Sequence, residues 1–290
     1  MANLRAIRKR ISSVKSTQQI TRAMKMVSAA KLRRAQDAIT AARPYARKMR
    51  ETVQAVAGRA GGEAHPLLTS REGKKLALLV ITSDRGLCGS FNAGLTRAAY
   101  RFINDHRERY EEIVLFVVGR KGRDFFRRRG TPIRMEYLGV LGNITRRQAE
   151  TIMNDLVGGF LSGEFDEVRI VFNEFRSAIS QVTRFETLFP IALEKTEKEE
   201  SEGGIDYLYE PGRKEILASL LPKYVETQIF RVLLESVAGE HGARMTAMDS
   251  ATNNSVDMIS RLTLQMNRAR QATITTELTE IVSGAEALKG

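Results

Sequence analysis

The feature that most constrains this chain is a strict apolar repeat at its N-terminal end. From Leu4 to Val56 one set of positions recurs at alternating steps of three and four: Leu4, Ile7, Ile11 and Val14 at its start, and Leu32, Ala35, Ile39, Ala42, Ala46, Met49, Val53 and Val56 at its end. Such spacing is the seam of a coiled coil, because it keeps one helix face turned toward a partner helix. Asn3 is a plausible N-cap, and Gly58, Gly61 and Gly62 stop the pattern. At 1.5 Å per residue the run is roughly 80 Å of helix. Pro44 lies inside it, so a kink or break is expected near Ala42–Arg43. The middle of the seam is polar: Gln18, Thr21, Lys25 and Ser28. There, Ile20, Met24 and Val27 are expected to supply apolar contacts from a neighbouring phase.

Charge is concentrated on the same segment. Residues 1–50 hold 14 Lys+Arg and one acid, Asp37, whereas the remainder is nearly balanced, although the whole chain carries +12. This asymmetry points to an acidic partner: nucleic acid, an anionic membrane or an acidic protein surface. A basic helix leading into heptads is also the pattern of a basic coiled-coil DNA binder. Against that reading, the seam already begins at Leu4, inside the basic part, and no dense basic cluster precedes it. No apolar run approaches the length of a membrane span.

The pattern changes after a linker at 63–75. KLALLVIT (75–82) and EIVLFVV (112–118) are short continuous apolar runs of the kind found in buried parallel strands. EVRIVFNEF (167–175) and QVTRFETLFP (181–190) are two further strands, expected to form a hairpin. Helical patterns lie at about 90–109, 121–129 and 144–162. Alternating strands and helices predict an α/β layer domain with a mainly parallel sheet. Beyond the charged stretch EKTEKEESE (194–202), helix resumes near residue 213. Pro222 is expected to divide a short helix from a long one, and Gly239 and Gly242 are its weak points. Ala243, Ala247 and Ala251 repeat every four residues, which lets another backbone approach. Near the C-terminus, Ile274, Leu278, Ile281 and Val282 make an apolar stripe, expected to pack against something.

The organisation is therefore an N-terminal helix (1–57), an α/β domain (74–193), a charged connection (194–212) and a C-terminal helix (213–290). Neither long helix could stand alone in water. The economical arrangement pairs them as an antiparallel coiled coil with the α/β domain inserted between them.

Chemistry-bearing motifs are few. SDRGLCGSFNAG (83–94) follows a strand and opens a helix, a setting in which backbone amides can cradle phosphate. No GKS or GKT follows it, and no GxGxxG occurs in the chain. The glycines are read as serving a tight turn, and the lone Cys88 as a structural thiol. His65, His106 and His241 are scattered, which argues against a zinc site. No catalytic residues, cofactor or metal ligands are predicted.

Four stretches carry a family resemblance: ITRAMKMVSAAKLRRAQ (20–36), SDRGLCGSFN (83–92), ARMTAMDSATNNS (243–255) and ARQATITTELTEIVSGAEAL (269–288). Together they resemble the gamma subunit of F-type ATP synthases. The last is the most specific, with Ile274, Thr275, Glu277, Glu280, Gly284, Ala285 and Ala287 matching that family's C-terminal signature. The resemblance implies a non-catalytic central rotor shaft: an antiparallel coiled coil with a Rossmann-like α/β domain at its foot. Its implied partners are three alpha and three beta subunits, epsilon and the membrane c-subunit ring, with no nucleic acid. It also implies contacts to the alpha and beta subunits through Met24, Lys25, Arg33, Arg34, Arg244, Arg270 and Gln271. Tyr207, Tyr209 and Glu210 match the region near epsilon and the c ring. Residues 190–215 are short and free of cysteine, so the thiol regulation of chloroplast relatives is not expected here. With no transit peptide read in the sequence, a peripheral place on the cytoplasmic face of a bacterial cell membrane is expected.

Overall fold

The computed structural model describes residues 4–60, 65–71, 73–191 and 212–287. Two long helices, α1 (Leu4–Ala60) and α5 (Arg213–Ala287), bracket five strands and three shorter helices. The strands are β1 (Lys75–Ile81), β2 (Glu112–Val118), β3 (Ile133–Tyr137), β4 (Glu167–Phe175) and β5 (Gln181–Phe189). The shorter helices are α2 (Phe91–Asp105), α3 (Arg120–Arg127) and α4 (Arg146–Leu161). The chain divides into two compact units, one of residues 1–28 with 245–290 and the other of residues 29–244.

In the larger unit the strands form one sheet in the order β3-β2-β1-β4-β5. All neighbours run parallel except β4 and β5, which form the expected antiparallel hairpin. The central strand β1 is buried on both faces, and its side chains alternate between two cores. Ala77, Leu79 and Ile81 face a core completed by Ile152, Leu156 and Phe160 of α4 and by Leu221, Val225 and Ile229 of α5. Leu78 and Val80 face the opposite core, with Leu95, Ala99 and Ile103 of α2 and Phe126 of α3. Covering both faces is what allows near-continuous apolar strands. α4 starts at a full capping box between Thr145 and Gln148.

The structure overturns the expected proline breaks and adds detail at two other places. The edge strand β3 was not anticipated: IRMEY is short and has two exposed positions, so its apolar signal is weak. Pro222 does not divide α5, and no break occurs at Pro44 in α1. A proline costs a helix one backbone hydrogen bond, but Leu217, Leu221 and Val225 around Pro222 are completely buried, and tertiary packing holds the helix through it. Finally, Gly239 and Gly242 are points of close approach on a continuous helix. A Cβ on Gly239 would sit 3.2 Å from the Phe91 ring, and one on Gly242 would sit 3.2 Å from the backbone of Ala178.

In the smaller unit α1 and α5 pair antiparallel. The Thr21 and Thr252 hydroxyls meet at 2.8 Å, and Lys25 donates to Asp249 at 2.6 Å. Every seam position from Leu4 to Ser28 is buried or half-buried. Opposite it, Met248, Thr252, Ser255, Ile259, Leu262, Met266 and Ala269 are buried or half-buried at the same three-four spacing on α5.

Candidate functional site

The polar middle of the seam is a built feature. Thr21 is 8 % and Ser28 3 % exposed, whereas Ile20 and Val27 are 59 % and 56 % exposed. Apolar contacts therefore do not shift to a neighbouring phase: the seam keeps its register and turns polar. Thr252 also donates to the Met248 carbonyl at 2.7 Å, so the Thr21–Thr252 hydroxyl pair is satisfied. Lys25, one of the residues expected to face a partner, sits in this seam and is paired with Asp249. Met24 beside it is half-buried. On the outer surface Ile20, Met26 and Val27 are exposed, as is Arg22.

The C-terminal end of the expected contact set is open. Arg270 and Gln271 are exposed on α5. From Ile274 to Ala287 every side chain of α5 is exposed, including the predicted stripe of Ile274, Leu278, Ile281 and Val282. The seam pairing explains this. If the Thr21–Thr252 register is followed residue by residue, Leu4 stands level with Ala269, so the last turns of α5 run past the first described residue of α1. Nothing among the described residues covers them.

The larger unit presents Arg33 and Arg34, both exposed on α1. It also holds a polar cluster where the C-terminal ends of the parallel strands meet α5. In an open α/β sheet, the crevice outside the strand ends is where ligands commonly bind. Here side chains and α5 fill it. Arg244 donates to the Gly86 carbonyl at 3.2 Å and to Glu240 at 2.6 Å, and its guanidinium approaches His241 Nδ1 at 3.3 Å. Arginine can only donate, so Nδ1 accepts and the imidazole carries its proton on Nε2. Burial, reinforced by the Arg244 and Lys31 charges, lowers the His241 pKa to about 4. Burial pushes the Glu240 carboxyl above its usual range despite the opposing effect of Arg244.

The 83–94 turn itself is a self-satisfied knot. Ser83 donates its amide to Asn92 Oδ1 at 2.9 Å and its hydroxyl to the Arg85 carbonyl at 2.7 Å. Leu87 and Gly89 both have positive φ, of 61° and 55°. Cys88 is buried, and burial raises its thiol pKa, as suits a structural residue rather than a nucleophile. Asp84 ties three loops together by accepting from the amides of Arg120 and Gly139, both at 3.1 Å. Gly89 supplies one of the two positive φ angles of the turn, and the Ser83 amide and hydroxyl are spent within it on Asn92 and the Arg85 carbonyl.

Of the residues singled out from sequence, the structure leaves Arg33, Arg34, Arg270 and Gln271 open to solvent. It engages Lys25 and Arg244 within the chain. Tyr207, Tyr209 and Glu210 lie outside the described residues. Sequence reading missed Glu240 and Asp249, and weighed His241 only as a metal ligand. The spacing of Glu240 and Arg244 was a usable signal, because residues four apart face each other on a helix.

Residues 3–288 match the ATP synthase family. The chain is 52% identical over 290 residues to the ATP synthase gamma chain of Trichlorobacter lovleyi, covering 100% of both proteins. It is 53% identical to that of Geobacter metallireducens, again over the whole of both. Among solved structures, it resembles a chain of the Tetrahymena thermophila mitochondrial ATP synthase central stalk and c ring. The TM-score is 0.61 at 25% identity, covering 80% of this chain and 99% of that one. A chain of the Euglena gracilis mitochondrial ATP synthase shares the fold with a TM-score of 0.67 at 18% identity, covering 98% and 94%.

Proposed function

This chain belongs to the ATP synthase gamma-chain family, and from that premise we propose how it serves as the central shaft of an F-type ATP synthase. Proton-driven turning of the c ring rotates the chain, and the chain in turn biases the catalytic sites of the beta subunits. It makes and breaks no bonds of ATP itself. The observation that carries this reading is the bare end of α5. A well-patterned apolar stripe at Ile274, Leu278, Ile281 and Val282 has no cover from the described residues of its own chain. Exposed apolar surface of this kind marks a protein contact, and the ring of three alpha and three beta subunits supplies the matching sleeve.

A shaft drives a site only if its contacts differ between that site's states. The smaller unit has the required asymmetry. One face of α1 is closed against α5, and the other presents Arg22 with exposed apolar side chains. Arg33, Arg34, Arg270, Gln271 and Met24 are the residues assigned to the alpha and beta subunits. Lys25 contributes through its pair with Asp249, and Arg244 through its hold on the 83–94 turn. Tyr207, Tyr209 and Glu210 are assigned to epsilon and the c ring.

No helix among the described residues is long and apolar enough to cross a membrane. Attachment is therefore assigned to the c ring, at the cytoplasmic face of a bacterial cell membrane. The test is co-expression with alpha, beta, epsilon and c subunits, followed by purification through a tag on this chain. The expected product is a rotary ATPase with one copy of the chain per three beta subunits. ATP hydrolysis by the purified chain alone would overturn the assignment.

A further inference from the structure

The unit of residues 29–244 also carries a cleft of about 240 Å³ between α1, α5 and the start of α4. Ile39, Ala42, Ala46 and Leu234 give it an apolar floor, and its charged lining is five arginines against one carboxylate, Glu235. Arg43, Arg47 and Arg50 stand on one face of α1 at steps of four and three, joined by Arg146 from α4 and Arg231 from α5. A second cleft of about 310 Å³ abuts the first and shares Arg50, Gln228 and Arg231 with it.

A row of like charges on one helix face is destabilising unless counter-charges answer it. Some of these arginines are answered. Arg47 pairs with Glu51 at 3.0 Å, and Arg231 with Glu186 at 2.6 Å and Glu235 at 3.0 Å. Arg146 reaches Glu226 at 3.6 Å, and its guanidinium lies 5.5 Å from the Tyr45 ring and 5.2 Å from the Phe230 ring. Arg43 and Arg50 have no ion-pair partner among the described residues.

Two unanswered guanidinium groups above an apolar floor, with aromatic rings alongside, suit a compact multivalent oxyanion. The planar guanidinium fork matches phosphate oxygens in pairs, which an ammonium does not. The geometry points to a binding site for a compact polyphosphate: a diphosphate group, bare or carried by a nucleoside, held by Arg43 and Arg50. Tyr45 and Phe230 also line the cleft, and Arg146 sits over both rings, so a nucleoside would have to displace or stack beside that guanidinium. The first cleft is smaller than the roughly 300–1,000 Å³ of drug-sized pockets, which fits a diphosphate better than a peptide helix. The adjoining cleft gives room for a nucleoside. Because α1 and α5 both line the two clefts, an occupant would bridge the helices and raise the stability of the folded chain. This goes beyond the shaft reading, which places no small molecule on this chain.

The test is calorimetric titration of the full-length chain with inorganic pyrophosphate and, separately, with ADP, at about 0.15 M ionic strength so that long-range attraction is screened. Saturable one-to-one binding is expected, weakened about tenfold or more when Arg43→Ala and Arg50→Ala remove both forks. Arg101→Ala with Arg107→Ala, exposed residues on and just after α2, removes the same charge elsewhere and should leave affinity unchanged. Tighter binding of ADP, reduced by Tyr45→Ala, identifies the nucleoside form; equal binding of the two probes identifies the bare polyphosphate. Should the alanine pair unfold, Arg43→Lys with Arg50→Lys decides: weakened binding supports the site, and wild-type affinity overturns it. No saturable binding of either probe, or equal weakening by the α2 pair, also overturns it.

Discussion

Arg244 of α5 donates to the main-chain carbonyl of Gly86, in the turn after β1, across 3.2 Å. The same guanidinium is held by Glu240 one turn earlier, and both side chains are almost wholly buried. A helix that must turn with the sheet domain needs such an anchor, because a buried, fully bonded group has few alternative partners. Removing one member of a buried ion pair strands the other charge and typically costs about 3–5 kcal/mol.

Arg244→Ala should therefore lower the unfolding free energy of the full chain by about 3 kcal/mol, read from urea midpoints. Arg244→Met combined with Glu240→Leu should recover most of that loss, since an apolar pair leaves no stranded charge. A single variant as stable as wild type would remove the anchor from the account.

His241 gives the cluster a pH signature. Its folded pKa of about 4 lies below its ordinary 6.5. Between those values the unfolded chain binds a proton that the folded chain refuses, so stability falls as pH falls from 6.5 towards 4. Glu240 works the other way. Its raised pKa lets the folded chain keep a proton that the unfolded chain releases, so its contribution weakens as pH rises above 4.5. Lys31 and Arg244 also face the imidazole and keep it neutral. His241→Gln should flatten the acid side of the stability curve, by at most about 3 kcal/mol near pH 4 relative to pH 7. Urea titrations of both proteins across that range check it, and parallel curves would count against the assignment.

What the sequence made legible follows from which signals are local. The three-four repeat on α1 needs no partner to be read, and every position from Leu4 to Val56 on that repeat is buried or half-buried. The strongly apolar strands β1, β2 and β4 were equally plain. β3 was not, because an edge strand with exposed positions has little hydrophobic pattern to offer. Pro222 misled because the rule against prolines in helices describes an isolated helix, while Leu217 and Leu221 hold this one from outside. The Lys25–Asp249 pair was hidden for a different reason: it depends on the register between two helices more than two hundred residues apart. The anchor at Gly86 was hidden because a main-chain carbonyl carries no sequence mark.

That pair is expected to contribute little to stability. Lys25 and Asp249 have side chains 42% and 46% exposed, and ion pairs so placed are worth about 0–1 kcal/mol. Lys25→Ala should lower the unfolding free energy by less than about 1 kcal/mol. Exchanging the two residues should restore it in the double variant. A larger loss from the single substitution, by thermal or urea unfolding, would mean that the polar seam depends on this contact.

Arg33 and Arg34 separate coupling from folding. Both are exposed, and substitutions at such sites usually change stability by no more than about 0.5 kcal/mol. Replacing both with Glu should leave the unfolding midpoint in place and lower proton-coupled ATP synthesis by the assembled complex severalfold. Unchanged synthesis would argue against an electrostatic role for this face.

The bare end of α5 gives the sharpest contrast between the isolated chain and the assembly. Ile274, Leu278 and Ile281 are 47%, 57% and 68% exposed, so each has roughly half its apolar surface left to bury. Burying that remainder is worth about 1 kcal/mol per side chain. Changing all three to Ser should leave the stability of the isolated chain nearly unchanged, because no described contact is lost. Affinity for the alpha–beta ring should fall by about two orders of magnitude, from some 3 kcal/mol of forgone burial. Retention of the triple variant by a tagged ring, compared with wild type over a dilution series, measures it. Equal retention would place the ring's grip elsewhere on the chain.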